Sequence, residues 1–156
     1  MDIRIGELSN PHVIKLLQVH HNDMLKHSPV ESVHALDVSE LTQPDITFYS
    51  LWIDNNLAGV GALKALNTTH GEIKSMRTSS SYLRQGIAAK LLTHIIEQSS
   101  SRGYKKLSLE TGTAEAFLPA QKLYTQFGFK ECEPFGDYEL DPYSLFMERT
   151  LVRGYL

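Results

Sequence analysis

The feature that most constrains the fold is an amphipathic helix that follows soon after a predicted strand. The strand covers residues 71–78, and the helix extends from Gly86 to about Arg102, where Gly103 ends it. The apolar side chains of the helix fall on one stripe with helical spacing: Ile87, Leu91, Leu92, Ile95 and Ile96. Such a stripe must be buried against another element, and the neighbouring strands supply a sheet for it.

The remaining segments add more strands and two more helices. Strands are predicted over 3–5, 46–53, 57–66, 105–111, 129–133 and 144–151. Helices are predicted over 11–26 and 114–127, and residues 28–45 are irregular or contain a short helix. This order predicts a mixed sheet with helices on its faces, in the α/β or α+β class. At 156 residues the chain is expected to form a single domain, residues 1–156.

Composition excludes several classes of protein. The net charge of −3 argues against a nucleic-acid-binding protein. The single cysteine, Cys132, excludes an intrachain disulfide framework and a multi-cysteine metal site, and it fits a reducing compartment. The seven histidines lack the spacing of a metalloprotease site, so no metal is expected. No segment resembles a signal peptide or reaches the roughly 18 apolar residues of a membrane span. We therefore expect a cytoplasmic protein without membrane contact.

Charge is distributed unevenly along the chain. Residues 1–60 contain three basic and eight acidic residues, a net charge of −5, whereas residues 61–130 contain ten and four, a net charge of +6. Residues 131–156 contain two and six, a net charge of −4. Two interpretations remain open. The charges are either chance clusters on solvated faces, or a basic middle that binds an anion between acidic segments that attract a cation.

The junction before the strongest helix has the properties of an anion site. A helix N-terminus leaves backbone N–H groups unpaired and carries partial positive charge. Small residues at Gly86, Ala88 and Ala89 would let an anion approach the backbone, and Arg84 and Lys90 add positive charge. These properties indicate a phosphate or pyrophosphate site. The alternative is an ordinary helix start with a small residue for packing.

The same junction resembles the acetyl-CoA-binding motif of the GNAT acetyltransferases. That motif is usually written Gln/Arg-x-x-Gly-x-Gly/Ala. In the stretch from Met76 to Ala88, the small positions are filled by Gly86 and Ala88. Leu83 departs from the family pattern because it stands where Gln or Arg is usual. Its backbone N–H can still serve the pyrophosphate loop, and Arg84 is a candidate to replace the missing side chain.

A second stretch supports the resemblance. Residues 120–129 are similar to the late helix and following strand of the family, although Phe117 stands where an asparagine often lies. The segments 109–112, 135–138 and 146–148 also resemble a bacterial branch of the superfamily with small acceptors.

The resemblance implies a fold, a co-substrate and a set of binding residues. The fold would be a mostly antiparallel, twisted sheet with helices on both faces, and the co-substrate would be acetyl-CoA, without a metal. The backbones of Met76 and Thr78 would hold the pantetheine arm much as an added strand would. The full cofactor-binding set implied is Met76, Arg77, Thr78, Leu83, Arg84, Gln85, Gly86, Ile87, Ala88, Ala89 and Tyr124. A homodimer is left open.

Direct acetyl transfer to an amine needs a base for the amine and benefits from an acid for the departing thiolate. Tyr124 matches the family tyrosine near the cofactor sulfur and is the candidate acid; alternatively it is a core aromatic residue. Glu72 is the candidate base, and strand alternation predicts that Lys74 and Met76 share its face. Glu72 could instead be a solvated residue at a strand start, and Glu110 on the next strand is the alternative base. The resemblance implies direct attack without a covalent enzyme intermediate, so Cys132 is not needed as a nucleophile.

The acceptor is predicted to be a small primary amine. Both acidic segments contribute to the acceptor site in the family, so we expect the amine near Glu31, Asp37 and Tyr138. A solvated loop with a short capped helix is the alternative for residues 28–37. Two other functions also remain open: a non-catalytic acyl-CoA-binding or regulatory module, because fold does not determine function, and an acetyltransferase that modifies proteins.

Overall fold

Seven strands and four α-helices form in the part of the chain that the computed structural model describes, residues 1–34 and 37–151. The strands are β1 (Asp2–Ile5), β2 (Ile46–Ile53), β3 (Asn56–Ala65), β4 (His70–Thr78), β5 (Lys106–Gly112), β6 (Lys130–Glu131) and β7 (Ser144–Thr150). The helices are α1 (Pro11–His27), α2 (Val38–Leu41), α3 (Ile87–Ser101) and α4 (Leu118–Gln126). Short 3₁₀ turns lie at Val30–Ser32, Ser80–Tyr82 and Glu115–Phe117. None of the helices in these ranges has the length and apolarity needed to cross a membrane.

The strands form one sheet in the order β1-β2-β3-β4-β5-β7-β6. Every neighbouring pair is antiparallel except β4 and β5, which run parallel because α3 connects them as a crossover. The mixed, mostly antiparallel sheet of the predicted fold class is therefore confirmed.

Helices cover both faces of this sheet. The predicted stripe of α3 is buried on one face, where four of its side chains are at most 1% exposed: Ile87, Leu91, Leu92 and Ile95. On the other face α1 buries Val13, Leu16 and Leu17. Strand β2 contributes side chains to the hydrophobic cores on both faces of the sheet, because successive side chains point to opposite faces. Tyr49 and Leu51 pack with α3, whereas Phe48 and Trp52 pack with α1.

Local chemistry explains the small differences from the predicted boundaries. The β2–β3 hairpin turns at Asp54 and Asn55, both at positive φ, so β3 begins at Asn56. The predicted helix over 114–127 divides into a 3₁₀ turn and α4, which begins at Leu118. Pro119 lies in the first turn of α4, where its missing N–H breaks no helical hydrogen bond. The predicted strand over 129–133 pairs only at Lys130–Glu131.

A bulge in β4 overturns one prediction. Val60 pairs with Arg77 but Ala62 pairs with Lys74, so β4 has an extra residue opposite Gly61, and Ser75 has a φ of 56°. An extra residue reverses the alternation of side chains beyond it. The side chain of Met76 therefore packs over Gly61 in the α3 layer. The expectation that Met76 shares a face with Glu72 and Lys74 was wrong.

Strands β4 and β5 separate partway along their length. Their pairing covers His70–Ile73 of β4 and Lys106–Leu109 of β5, and neither strand pairs with the other beyond those residues. The following residues of both strands, 74–78 and 110–112, border the opening. This separation creates the cleft of the candidate site.

Candidate active site

The opening between β4 and β5 widens into a cleft of about 440 Å³. Its base is formed by residues 72–78 and 110–112, and one wall comes from the second half of α1 and the segment after it. The other wall comes from the beginning of α3 and from α4, and Tyr138 borders the cleft from the segment between β6 and β7. Elements that are distant in sequence therefore meet around one space.

One end of the cleft has the geometry of an anion site. Arg84 and Gly86 lie at positive φ, 62° and 76°, and this turn directs the chain into α3. The first helical hydrogen bond is donated by the Lys90 N–H to the Gly86 carbonyl, so the three preceding N–H groups have no helical acceptor. A Cβ added at Gly86 would meet nothing within 4 Å, so the space above this backbone is open. The residues present fit a phosphate-bearing group at this position.

The predicted cofactor residues divide into two groups. Six of them line the cleft: Met76, Arg77, Thr78, Leu83, Ala88 and Tyr124. Arg84, Gln85, Gly86 and Ala89 lie on the turn or first turn of α3 outside this lining, and Ile87 is buried in the core. The guanidinium of Arg77 donates to Asp23 of α1 at 2.6 Å, so the Arg77 side chain is part of the α1 wall of the cleft.

Glu72 lies at the other end of the cleft in a compact hydrogen-bonded cluster. The Tyr138 hydroxyl donates to Glu72 Oε2 at 2.5 Å, and Lys74 Nζ donates to the Tyr138 oxygen at 2.7 Å and to Glu72 Oε2 at 3.2 Å. The Glu72 side chain is 3% exposed and that of Lys74 is 9% exposed. Burial, together with the charge of Glu72, holds the pKa of Tyr138 far above its ordinary value. The Glu72 carboxylate therefore accepts hydrogen bonds from two neighbouring side chains, one of which is positively charged, and is not free.

Glu110 and Tyr124 border the middle of the cleft. Tyr124 comes from α4, is 7% exposed and packs edge-on against Phe129. Burial and then the charge of Glu110 raise the pKa of Tyr124, so its hydroxyl keeps its proton throughout the ordinary pH range. Burial also raises the pKa of Glu110. The predicted acid and the alternative base thus lie near each other along one cleft.

Comparison with models of protein families shows which family this chain belongs to. Residues 13–129 match the model of the acetyltransferase (GNAT) family, which is most of the chain. The chain belongs to the GNAT acetyltransferase family. It is 54% identical over 151 residues to an uncharacterized N-acetyltransferase of Bacillus subtilis strain 168, YsnE, with 97% of this chain and 100% of that protein covered. It is accordingly an acetyl-CoA-dependent acyltransferase.

Solved GNAT structures share the fold. A putative acyl-CoA N-acyltransferase of Klebsiella pneumoniae subsp. pneumoniae superposes with a TM-score of 0.78 at 22% identity, covering 97% of each chain. A Bacillus subtilis acetyltransferase solved in complex with CoA superposes with a TM-score of 0.71 at 20% identity, covering 96% of this chain and 98% of that one. The chain therefore shares its fold with a protein whose solved structure contains CoA.

The acceptor residues predicted for this GNAT chain do not all meet. Tyr138 lines the cleft, but Glu31 and Asp37 are exposed and do not line it. The Asp37 carboxylate instead caps α2, where it accepts from the Glu40 N–H at 2.8 Å. The segment before α2 contributes Ser32 and His34 to the cleft wall, and Ser32 donates to Asp141 at 2.6 Å. The charge of a carboxylate does not show whether it caps a helix or binds a ligand.

The α1 wall contains residues that sequence reasoning did not single out. Asp23 pairs with Arg77, and His20 lies beside this pair. Within the described residues, His20 Nδ1 is buried without a hydrogen-bond partner. Burial and the positive charge of Arg77 lower the pKa of His20 to about 4. No local signal marks this cluster, because its members lie on different elements.

The His20 environment predicts a pH dependence of stability. The unfolded chain protonates His20 near pH 6.5, whereas the folded protein resists protonation until about pH 4, so stability is lost as pH falls between these values. We expect the free energy of unfolding to fall by about 2–3 kcal/mol more between pH 7.5 and 4.5 in the wild type than in His20→Gln. Urea denaturation at both pH values measures this difference. His12→Gln, an exposed position on the same helix, is the control and should behave as the wild type.

Proposed function

We propose that this enzyme transfers the acetyl group of acetyl-CoA to a primary amine of a small molecule by direct attack. The observation that carries the proposal is that Tyr124 and two carboxylates, Glu72 and Glu110, line one cleft beside the separated edge of β4. An acid, a base and a place for an extended cofactor arm are the parts this reaction requires.

The two ends of the cleft suggest where each substrate binds. Acetyl-CoA is proposed to bind at the end beside the Arg84–Gly86 turn, and the amine at the opposite end beside Glu72 and Tyr138, the acceptor end. Acetyl-CoA supplies an activated acetyl group as a thioester. The backbone of residues 76–78 is proposed to hold the pantetheine arm, because none of the strands within residues 1–34 and 37–151 pairs with β4 on its cleft side there. The turn at Arg84 to Gly86 and the first N–H groups of α3 are proposed to hold the pyrophosphate.

Tyr124 is proposed as the proton donor to the departing sulfur. Its buried hydroxyl stays protonated, and the same apolar surroundings raise the proton affinity of a thiolate formed beside it. A cleft carboxylate is proposed to accept the proton that the acceptor amine must lose before it attacks, directly or through water.

A small acceptor fits the dimensions of the cleft better than a protein surface does. A volume of about 440 Å³ lies within the range of small-molecule sites. The Ser32–Asp141 hydrogen bond joins the segment after α1 to the segment between β6 and β7. With Glu31 and Asp37 outside the lining, the cleft carboxylates are the proposed attraction for the amine. We further propose that the chain acts as one domain in the cytoplasm, in keeping with its single cysteine.

A panel of acceptors incubated with acetyl-CoA tests the proposal. The panel should include amino acids, polyamines, arylamines and lysine-containing peptides, each beside its N-blocked analogue as the matched control. We expect thiol release above the rate of hydrolysis for at least one small amine, and none for its blocked form. Acetyl-CoA binding without turnover of any amine would instead support a non-catalytic binding module. A preference for peptides would support protein modification.

A further inference from the structure

The two glutamates of the cleft lie in different environments. Glu72 is 2% exposed, and Tyr138 and Lys74 both donate to its Oε2 atom. Glu110 is only partly buried, and none of the ion pairs within residues 1–34 and 37–151 involves it. Glu72 is therefore engaged by neighbouring side chains, whereas Glu110 borders the cleft without an ion-pair partner among the described residues.

The contacts of Glu72 oppose a role as proton acceptor. A proton taken up at Oε2 would displace the hydrogen bond from Tyr138, which is short and made to a charged acceptor. It would also leave the Lys74 ammonium, 9% exposed, without its counter-charge. Breaking a buried ion pair on one side is strongly unfavourable because the remaining charge is uncompensated.

The same contacts allow Glu72 to hold Tyr138 in position. Tyr138 lies in the segment between β6 and β7, residues 132–143. A second contact joins this segment to the cleft wall, because the Ser32 hydroxyl donates to Asp141. The ring of His34 stands edge-on to Tyr138 with centroids 4.9 Å apart. By holding Tyr138, Glu72 sets the position of the aromatic wall that closes the acceptor end.

Glu110 has the surroundings of a proton acceptor. The charged and titratable groups that face it come from four elements: His34 from the segment after α1, Glu72 and Lys74 from β4, Tyr124 from α4 and Tyr138 from the β6–β7 segment. Burial and then the charge of Glu72 raise the pKa of Glu110, while a hydrogen bond from Ser144 and the charges of His34 and Lys74 oppose that rise. A general base is most effective when its pKa lies near the working pH.

We propose that Glu110 is the catalytic base of this enzyme and that Glu72 is a positioning residue, which anchors Tyr138 at the acceptor end of the cleft. The inference rests on the proposed function. An ammonium acceptor loses one proton to Glu110, and its lone pair then forms the N–C bond as the C–S bond breaks. The sulfur receives the Tyr124 proton, and the second proton of the nitrogen returns to Tyr124. Glu110 passes its proton to solvent, so the products are the amide, free CoA and one proton.

The pH dependence of kcat and KM for an acceptor from the panel tests this division of roles. In the wild type, kcat/KM should rise with pH on the acidic side as Glu110 ionises. Glu110→Gln should lower kcat by about 10²-fold and lose that rise. Tyr138→Phe removes one hydrogen bond and should raise the acceptor KM about tenfold with the acidic rise intact. Glu72→Gln should also retain the rise. A rise that survives in Glu110→Gln, or is lost in Glu72→Gln, overturns the proposal.

A second measurement needs no acceptor and separates this inference from the proposed function. If Glu72 anchors the β6–β7 segment, amide hydrogen exchange of residues 132–143 should speed up in both Glu72→Gln and Tyr138→Phe, but not in Glu110→Gln. Unchanged exchange in the first two variants overturns the positioning role even if no amine is turned over. An enzyme that turns over no amine fails the proposed function and, with it, the role of Glu110. The acetyl-CoA-induced rise in melting temperature verifies that each variant is folded.

Discussion

Replacing Tyr124 by phenylalanine should lower kcat about 10²- to 10⁴-fold and leave the affinity for acetyl-CoA nearly unchanged. The hydroxyl is proposed to act on a charge that exists only as the C–S bond breaks, so its loss affects the transition state rather than the bound ground state. The ring of Tyr124 packs against Phe129, and phenylalanine preserves that packing. Steady-state kinetics on a verified amine give kcat, and the cofactor-induced rise in melting temperature reports binding.

Tyr104 offers a matched control for this change. Both tyrosines are 7% exposed, but Tyr104 packs over Gly71 in the core and does not line the cleft. Tyr104→Phe should therefore leave kcat unchanged. Equal turnover in Tyr124→Phe and the wild type would show that Tyr124 is a packing residue and would remove the acid from the mechanism.

Replacing Gly86 by glutamate should abolish the stabilisation that acetyl-CoA confers. Binding to the folded state alone stabilises by about 2.7 kcal/mol at a ligand concentration of 100 Kd. For a chain of this size that raises Tm by about 5–10 °C. The new side chain would occupy the open space above the α3 N-terminus and place a negative charge where the pyrophosphate is proposed to bind. Thermal denaturation with and without acetyl-CoA measures the loss.

Gly103→Glu controls for backbone strain. Gly103 lies at the other end of α3 with a φ of 85°, and a Cβ there would also meet nothing within 4 Å. Both variants force a side chain into the left-handed region and should lose stability for that reason. Only Gly86→Glu should lose the response to acetyl-CoA. A full response in Gly86→Glu would place the pyrophosphate elsewhere.

Elements with strong local patterns were predictable with accurate positions. The predicted stripe of α3 is buried, and Asn10 and Pro11 start α1 as expected. Boundaries shifted where turn chemistry acts, as at the Asp54–Asn55 hairpin turn, and where only part of a predicted strand pairs, as in β6. The turn at Gly86 before α3 was likewise predicted from the sequence, because the residues at a helix N-terminus are consecutive.

Side-chain direction beyond the β4 bulge was not predictable. A side-chain period of two carries no information about an inserted residue, so one extra residue at Ser75 moved Met76 to the opposite face. The assignment of Glu31 and Asp37 to the acceptor site rested on charge. Charge does not reveal whether a carboxylate caps a helix or lines a cleft, and Asp37 caps α2.

The sequence by itself determined the elements, their order, the family and the turn that is proposed to bind the cofactor, because each depends on residues that are close together along the chain. Only the tertiary structure decided how the carboxylates differ. Tyr138 reaches Glu72 across 66 positions, and Asp23 reaches Arg77 across 54. Contacts at such separations depend on how strands and helices pack. No local pattern distinguishes a glutamate that is held by a tyrosine and a lysine from one that lacks those two contacts.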